Sequence, residues 1–434
     1  MKVNKNIHIP HLGRVEGHGG IEIDIKDGEP IKVNLDIYEG SRFYEVLVLG
    51  KYYYEVPSII SRVCAICSAS HTLAAQMAIE NAFGVEVSKR TEFLRGLLIH
   101  GGMIESHSLH LAALVLPDLL GYDGVLNMAK DYPKEVSIAL ELKKLGNTLQ
   151  ELIGGRAIHP INALIGGFGK VPTKQELLSL KNSLSKGLEH ALILADLFKT
   201  FKISDYAESP TIYAALEPRD KTRYSFLGDY IITSLNERFP KEEFRKICHE
   251  GVVKHSHAKQ SLYSGKPFMT GALARINLNG EKYLQGKAKE IQEQLLPNLP
   301  SQNILHNNTA QMIELIHSIE RALQLVDLII NEGLEPEDLA EFEVHAGKGV
   351  GALEAPRGTL YHYYEIDDEG KIVEADIVTP TAQNLANCEK DLRVSIENLI
   401  NEPKEYLEFK LEMVARAYDP CISCAVHLVK LNKS

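Results

Sequence analysis

Two short stretches hold the residues best suited to chemistry. In "SRVCAICSASH", Cys64 and Cys67 are separated by two residues, and His71 follows four after Cys67. That spacing brings Cys67 and His71 to one face of a helix. Near the other end, "DPCISCAVH" repeats the device with Cys421 and Cys424, and His427 stands three further on. Each pair can clamp one ion from two directions, and together they offer four thiolates, the ligand set of a soft-metal centre. A structural zinc knuckle keeps its pairs within roughly 15–20 residues. Here most of the chain lies between Cys67 and Cys421, and a body this large needs no zinc to fold. A redox dithiol would account for one pair and not both. The other two cysteines, Cys248 and Cys388, lack such company and read as small buried hydrophobes.

Composition permits a buried site and narrows the partners. The chain has 434 residues, 44% hydrophobic and 24% charged, enough for a sizeable core. Its 47 basic and 58 acidic side chains leave a net charge of -11, which repels a phosphate backbone, so nucleic acid is not expected. The longest apolar run, "LHLAALVLPDLL", is broken by Pro117 and Asp118 and falls short of the ~20 residues of a membrane span. The start, "MKVNKNIHIPHLGRVEG", has neither the apolar core of a secretory signal nor a twin arginine. Six cysteines are too sparse for a disulfide framework, so the expectation is a reducing cytoplasm, unless a partner carries an export signal.

The elements that must position these residues are mostly helical. Ile21, Ile23 and Ile25 alternate with polar residues, Asp27-Gly28 turns, and Ile31, Val33, Leu35 and Ile37 alternate again, which predicts a hairpin over about 20–38. Helical spacing rich in Leu, Ala, Glu and Lys is read at 72–83, 88–116, 134–153, 174–200, 241–263, 281–296, 304–331 and 383–416, with stops at Gly84 and Pro117. The helical body thus spans about 72–331. A small β patch is expected over about 339–381, from "FEVHA", "GTLYHYYEID" and "KIVEADIVTP". With no repeat and no Ser/Gly linker, one interwoven domain of α+β class, predominantly α-helical, is expected. The glycine pattern "GKGVGA" (347–352) mimics a dinucleotide-binding loop. Pro356 arrives where the phosphate-binding helix should form, so any nicotinamide or flavin is expected on another chain.

The two cysteine motifs, with intermediate blocks from Arg14 to His427, resemble the large subunit of nickel–iron hydrogenases, over most of the chain. The likeness is greatest to the soluble cytoplasmic branch, the alpha subunits of sulfhydrogenases and of NAD(P)- or deazaflavin-linked enzymes. The resemblance implies the large-subunit fold and reversible oxidation of dihydrogen to protons and electrons. It implies that Cys64 and Cys421 bind nickel terminally while Cys67 and Cys424 bridge nickel to an iron carrying one carbon monoxide and two cyanides. "EAPRG" and "VTPTAQN" match the blocks that surround those diatomics, offering Arg357 and Thr381. "RVEGHGG" matches the block whose glutamate, here Glu16, removes the proton, a step within a carboxylate's competence. Asp118 and Asp419 correspond to carboxylates that pair with Arg357 over the metals, with Arg14 a structural ion-pair partner. His71 would donate to a bridging sulfur. A magnesium (or iron) ion would be held by Glu45 and His427, whose side chains suit it.

The resemblance also implies that a maturation endopeptidase cuts after His427, making "LVKLNKS" (428–434) a removable tail and 383–427 the C-terminal ligand segment. Ala65, Gln383, "RFYE" and the lack of tryptophan depart from the exported enzymes and point to the soluble branch. The four cysteines argue against the homologous respiratory-complex subunit, which has lost them. With no further cysteine pairs for clusters, the electrons need an iron–sulfur small subunit, followed by a flavin/NAD(P) diaphorase or deazaflavin module. A zinc-bearing assembly subunit without turnover is the alternative of a different class.

Overall fold

The structure is a computed structural model, in which residues 4–426 are described. The fold is predominantly helical with several small sheets.

The N-terminal sheet has three antiparallel strands, β1 (Lys5–Ile9), β2 (Gly19–Lys26) and β3 (Glu29–Ile37), in that order. The expected hairpin is β2–β3. Its turn residues Asp27 and Gly28 both take positive φ, 57° and 90°, which matches the twist of the flanking strands. Ile21 opposes Leu35 and Ile23 opposes Val33, but a bulge sets Pro30 against Ile25. Ile31 therefore points outward, 63% exposed, and does not join the buried face expected of it. β1 is too short to show in the alternation and is recruited by pairing Ile7 with Ile23 and Ile9 with Ile21.

Helix α1 (Ser68–Phe83) starts directly after Cys67 and ends at Gly84 in the left-handed conformation. Helix α2 (Lys89–Leu109) is capped by Ser88 Oγ, which accepts from Thr91 N. It does not stop at Pro117. It widens into a π turn over His110–Val115 and continues as Leu116–Leu120, so the residue without an N–H falls where the ladder is already open. Helices α3 (Pro133–Gly154), α4 (Lys174–Phe198) and α5 (His306–Glu332) complete a helical core with α2. α2 and α3 cross closely at glycines: a Cβ on Gly146 would lie 2.5 Å from Glu105 N.

The expected β patch is the antiparallel sheet β4 (Gly347–Ala355), β5 (Gly358–Ile366) and β6 (Ile372–Val378). "FEVHA" is not a strand; Phe342 instead stacks on Phe83 at 5.6 Å. The glycine pattern is explained by packing. Gly347, Gly349 and Gly351 alternate along β4 against α1, where a Cβ at Gly349 would come within 2.0 Å of Ala78 O and one at Gly351 within 2.0 Å of Ala74 O. The dinucleotide-like pattern is thus a strand pressed on a helix backbone.

Three helical expectations are corrected. Over 241–263 the chain makes one helical turn, Phe244–Ile247, then a ribbon pairing His249–Val252 with Lys259–Leu262. Gly251, Val252 and Val253 disfavour helix more than the surrounding Lys and Glu favour it. The span 383–416 is two helices, α6 (Pro380–Leu399) and α7 (Lys404–Ala417), because Pro403 cannot continue the first and caps the second. The span 281–296 is likewise interrupted, between Tyr283 and Gly286.

Candidate metal centre

The structure brings both cysteine pairs into one buried pocket. Cys64 leaves a short 3-10 turn, Ser61–Val63, and Cys67 caps α1, where the helix N-terminus favours a thiolate. Cys421 stands at the N-cap of the short helix Ile422–Ala425 and Cys424 lies within it; this helix follows α7 through Tyr418-Asp419-Pro420. The four Sγ atoms lie within 4.8 Å of one another. Cys64 Sγ is 3.3 Å from Cys421 Sγ, and Cys421 Sγ is 2.8 Å from Cys424 Sγ. No pair is bridged as a disulfide, and each cysteine is at most 6% exposed.

One backbone joint ties the second cysteine pair to the N-terminal segment. Glu16 forms a parallel bridge with Cys421, and Ile422 N donates to Glu16 O at 3.0 Å. Gly17, at φ 90°, makes this possible, since a Cβ there would sit 2.6 Å from Ile422 Cβ. The Glu16 carboxylate accepts from Ser423 N at 3.0 Å and from the Ser423 hydroxyl. Glu16 is half-buried, so it faces both the segment between the second pair of thiols and the exterior. Thr381, in the first turn of α6, accepts from Cys421 N at 2.9 Å.

Four thiols in one dry pocket cannot all ionise together. Hydrogen bonds from the neighbouring thiols, reinforced by the Arg357 charge, hold Cys67 well below the usual thiol range. Hydrogen bonding within the thiol cluster pushes Cys421 up, and burial pushes Cys424 up. Arg357 occupies the tip of the two-residue turn between β4 and β5, with Nη1 3.4 Å from Cys67 Sγ. Burial opposes its charge, but Asp419 and the cysteines outweigh burial and keep it fully protonated. Asp419, at φ 49°, receives Arg357 Nη2 at 3.0 Å and Gln311 Nε2 at 3.1 Å.

Asp118 is placed differently from expectation. Arg416 holds it with Nε at 2.8 Å and Nη2 at 3.1 Å, and Arg14 also donates to it. The pairing of Asp118 with Arg357 is therefore replaced by an Arg416–Asp118–Arg14 cluster, and Asp419 alone takes the role beside Arg357. His71 begins its helical bond on Cys67 O, while its Nδ1 lies 3.1 Å from His362 Nε2, and His362 Nδ1 lies 2.8 Å from the Tyr364 hydroxyl. Glu45 is buried on the helix Tyr44–Val48, with Lys259 Nζ 4.0 Å away. Arg42 N donates to Val426 O at 3.1 Å, which seats this helix beside the chain's last described segment. His427 and the expected tail 428–434 lie outside the described residues.

Ser423, Gln311 and Arg416 were not read from the sequence. Ser423 had a usable signal, lying inside the second Cys-x-x-Cys; Gln311 and Arg416 had none, being ordinary polar positions on long helices. Cys248 and Cys388 are buried away from the cluster, their thiols pushed up by burial. The donor set fits soft metal: four buried sulfurs at shared-ligand spacing, beside one fixed cation that offsets their charge.

Known proteins give the same picture. A family model described as nickel-dependent hydrogenase matches residues 42–142 and 200–427. The chain is 44% identical to sulfhydrogenase 1 subunit alpha of Pyrococcus furiosus, covering 98% of this chain and 100% of that protein. It is 40% identical to sulfhydrogenase 2 subunit alpha of the same organism, again over 98% and 100%. Among solved structures, an NAD+-reducing [NiFe]-hydrogenase in the H2-reduced state superposes with a TM-score of 0.88 at 25% identity, over 98% of this chain and 100% of that one.

Proposed function

The chain belongs to the nickel-dependent hydrogenase family as a catalytic subunit, and on that premise we propose that it oxidises dihydrogen reversibly at the four-cysteine pocket. The observation that carries the reading is the convergence of Cys64, Cys67, Cys421 and Cys424 to within 4.8 Å beside Arg357. In this reading Cys64 and Cys421 would hold nickel, and Cys67 and Cys424 would serve both nickel and an iron bearing carbon monoxide and two cyanides. When bound, that group supplies the heterolytic cleavage of dihydrogen.

The chain's own residues do the rest. Arg357, locked by Asp419, presents donors beside Cys67, and Thr381 fixes the Cys421 backbone. Glu16, fastened to Ser423, receives the proton from the thiolate side and releases it toward the exterior. Glu45 would hold a magnesium or iron ion together with His427.

Electrons leave through partners. The similar Pyrococcus proteins are alpha subunits, and this sequence has no cysteine pairs left for iron–sulfur clusters. We assign an iron–sulfur small subunit as the immediate acceptor, and a flavin/NAD(P) or deazaflavin module beyond it. The likeness to an NAD+-reducing enzyme supports NAD(P) as carrier. No helix among the described residues is long and apolar enough to cross a membrane. We place the complex in the cytoplasm, matured by an endopeptidase acting after His427.

The test is metal analysis and infrared spectroscopy of the anaerobically isolated complex. Nickel and iron with one carbonyl and two cyanide bands are expected. Zinc alone in a chain ending at His427, with no such bands, would replace this reading by the assembly-subunit alternative.

A further inference from the structure

The guanidinium of Arg357 is held by Asp419, but its height over Cys67 also depends on the turn from which it projects. That turn is gripped by a second arginine. Arg275 is 1% exposed and lies one helical turn after Gly271, in the helix Ala272–Arg275. Its Nη1 donates to Ala355 O at 3.0 Å and its Nη2 to Pro356 O at 3.1 Å, the two carbonyls that precede Arg357. The remaining donors go to carboxylates. Nε and Nη2 reach Glu314 at 2.6 Å each, and Nη1 reaches Glu354 at 2.9 Å. All five guanidinium N–H groups thus have an acceptor, which only arginine's planar fork can achieve.

An ion pair that served stability alone would need the carboxylates and not the turn. Here the two carboxylates fix the fork, and the fork's outer donors fix the turn. The same segment meets the turn a second time: Gly271, at φ 123°, has no Cβ because one would lie 3.0 Å from Arg357 O. The turn is therefore held at three successive residues, by a glycine contact at Arg357 O and a forked donor at the Ala355 and Pro356 carbonyls, with little freedom to tilt.

We propose that Arg275 is a positioning residue of the metal site, acting through the Ala355 and Pro356 carbonyls to set where Arg357 stands over Cys67. This rests on the hydrogenase reading above. Lysine at 275 keeps the charge but offers three donors from a single point, so it cannot hold Glu314, Glu354 and both carbonyls together.

The test is a double-mutant cycle of Arg275→Lys and Arg357→Lys in the metal-loaded complex, read by turnover per nickel and by the infrared cyanide bands. Arg275→Lys is expected to slow turnover by about 10–100-fold and to shift the cyanide bands. In the Arg357→Lys background it should add little to either, because the residue it positions is gone. Multiplying losses, or a band shift that persists in the Arg357→Lys background, would overturn the proposal. Unshifted bands in the single variant would do the same. Should Arg275→Lys not fold, Glu354→Gln replaces it in the same cycle, removing one charge from the fork while keeping its shape; the same non-additivity is expected. Wild-type complex without nickel, iron and cyanide bands would sink the hydrogenase reading itself, whereas loaded wild type with an additive cycle would sink only the clamp.

Discussion

Arg357 reaches Asp419 twice, donating from Nε to its main-chain oxygen at 2.8 Å and from Nη2 to its carboxylate at 3.0 Å. This two-point hold leaves Nη1 to face Cys67. A lysine could satisfy Asp419 or approach the sulfur, but not both. We predict that Arg357→Lys keeps nickel and iron yet lowers turnover per nickel by about 10–100-fold. Metal content and hydrogen uptake measured on one preparation check this. An unchanged rate per nickel would remove Arg357 from the chemistry.

Glu16 gives a sharper test, because its contacts survive an amide. Glutamine can still accept from Ser423 N through its carbonyl oxygen and can donate from its amide nitrogen to the Ser423 hydroxyl oxygen, but it cannot carry a proton. Glu16→Gln is expected to retain the metals and their infrared bands while losing at least ~100-fold in hydrogen uptake, the lower range for a lost general acid–base group. Full uptake by the variant would place the proton exit elsewhere.

The roles of Glu16 and Arg357 came only from the resemblance of "RVEGHGG" and "EAPRG" to blocks of the family, whereas the cysteine pairs were legible for a local reason, their short spacing. The long helices were legible for the same reason, since 3.6-residue periodicity is local. What could not be read is long-range. Nothing near Asp118 announces Arg416, almost 300 positions away (|i−j| 298), and nothing near Arg357 announces Arg275. The ribbon at 249–262 was misread as helix because its Lys and Glu imitate helical composition, and Ile31 because a bulge shifts the register.

Asp118 is expected to behave as an anchor. Its carboxylate receives Arg416, 1% exposed at the side chain, together with Arg14. Removing one partner of a buried pair leaves a charge uncompensated, so Asp118→Ala should cost about 3–5 kcal/mol in unfolding free energy. Glu412 lies on the same guanidinium at 3.0 Å and softens the loss. Denaturant unfolding of the variant measures it. If stability is untouched while turnover collapses, Asp118 belongs to the metal site after all.

Asp391 supplies a pH dependence. It receives the Tyr418 hydroxyl at 2.6 Å, immediately before Asp419, and burial raises its pKa to about 6 from 3.8. A folded-state pKa above the unfolded one means that the native chain holds the proton more tightly. Its contribution is fully present below about pH 4 and is lost as pH rises through about 6, a change on the order of 3 kcal/mol. Asp391→Asn should flatten this part of the stability–pH curve and leave the rest in place. Parallel curves for the two proteins would show that Asp391 does not titrate in this window.

Gly351 tests whether the β4–α1 contact governs the metal site. A Cβ there would lie 2.0 Å from Ala74 O and 2.7 Å from Ala78 N, both helix backbone that cannot swing aside. Either β4 or α1 must move, and α1 begins at Cys67 and carries His71. Gly351→Ala is therefore expected to lose about 1–3 kcal/mol or more of stability, as overpacking does, and to lower nickel content with it. Gly251→Ala is the control: a Cβ there meets nothing within 4 Å, so its effect should stay within about 0.5 kcal/mol. Equal stability and nickel content in the two variants would mean that α1 and β4 separate without disturbing Cys67. A fall in both for Gly351→Ala alone would tie the thiolate's position to a glycine that never touches it.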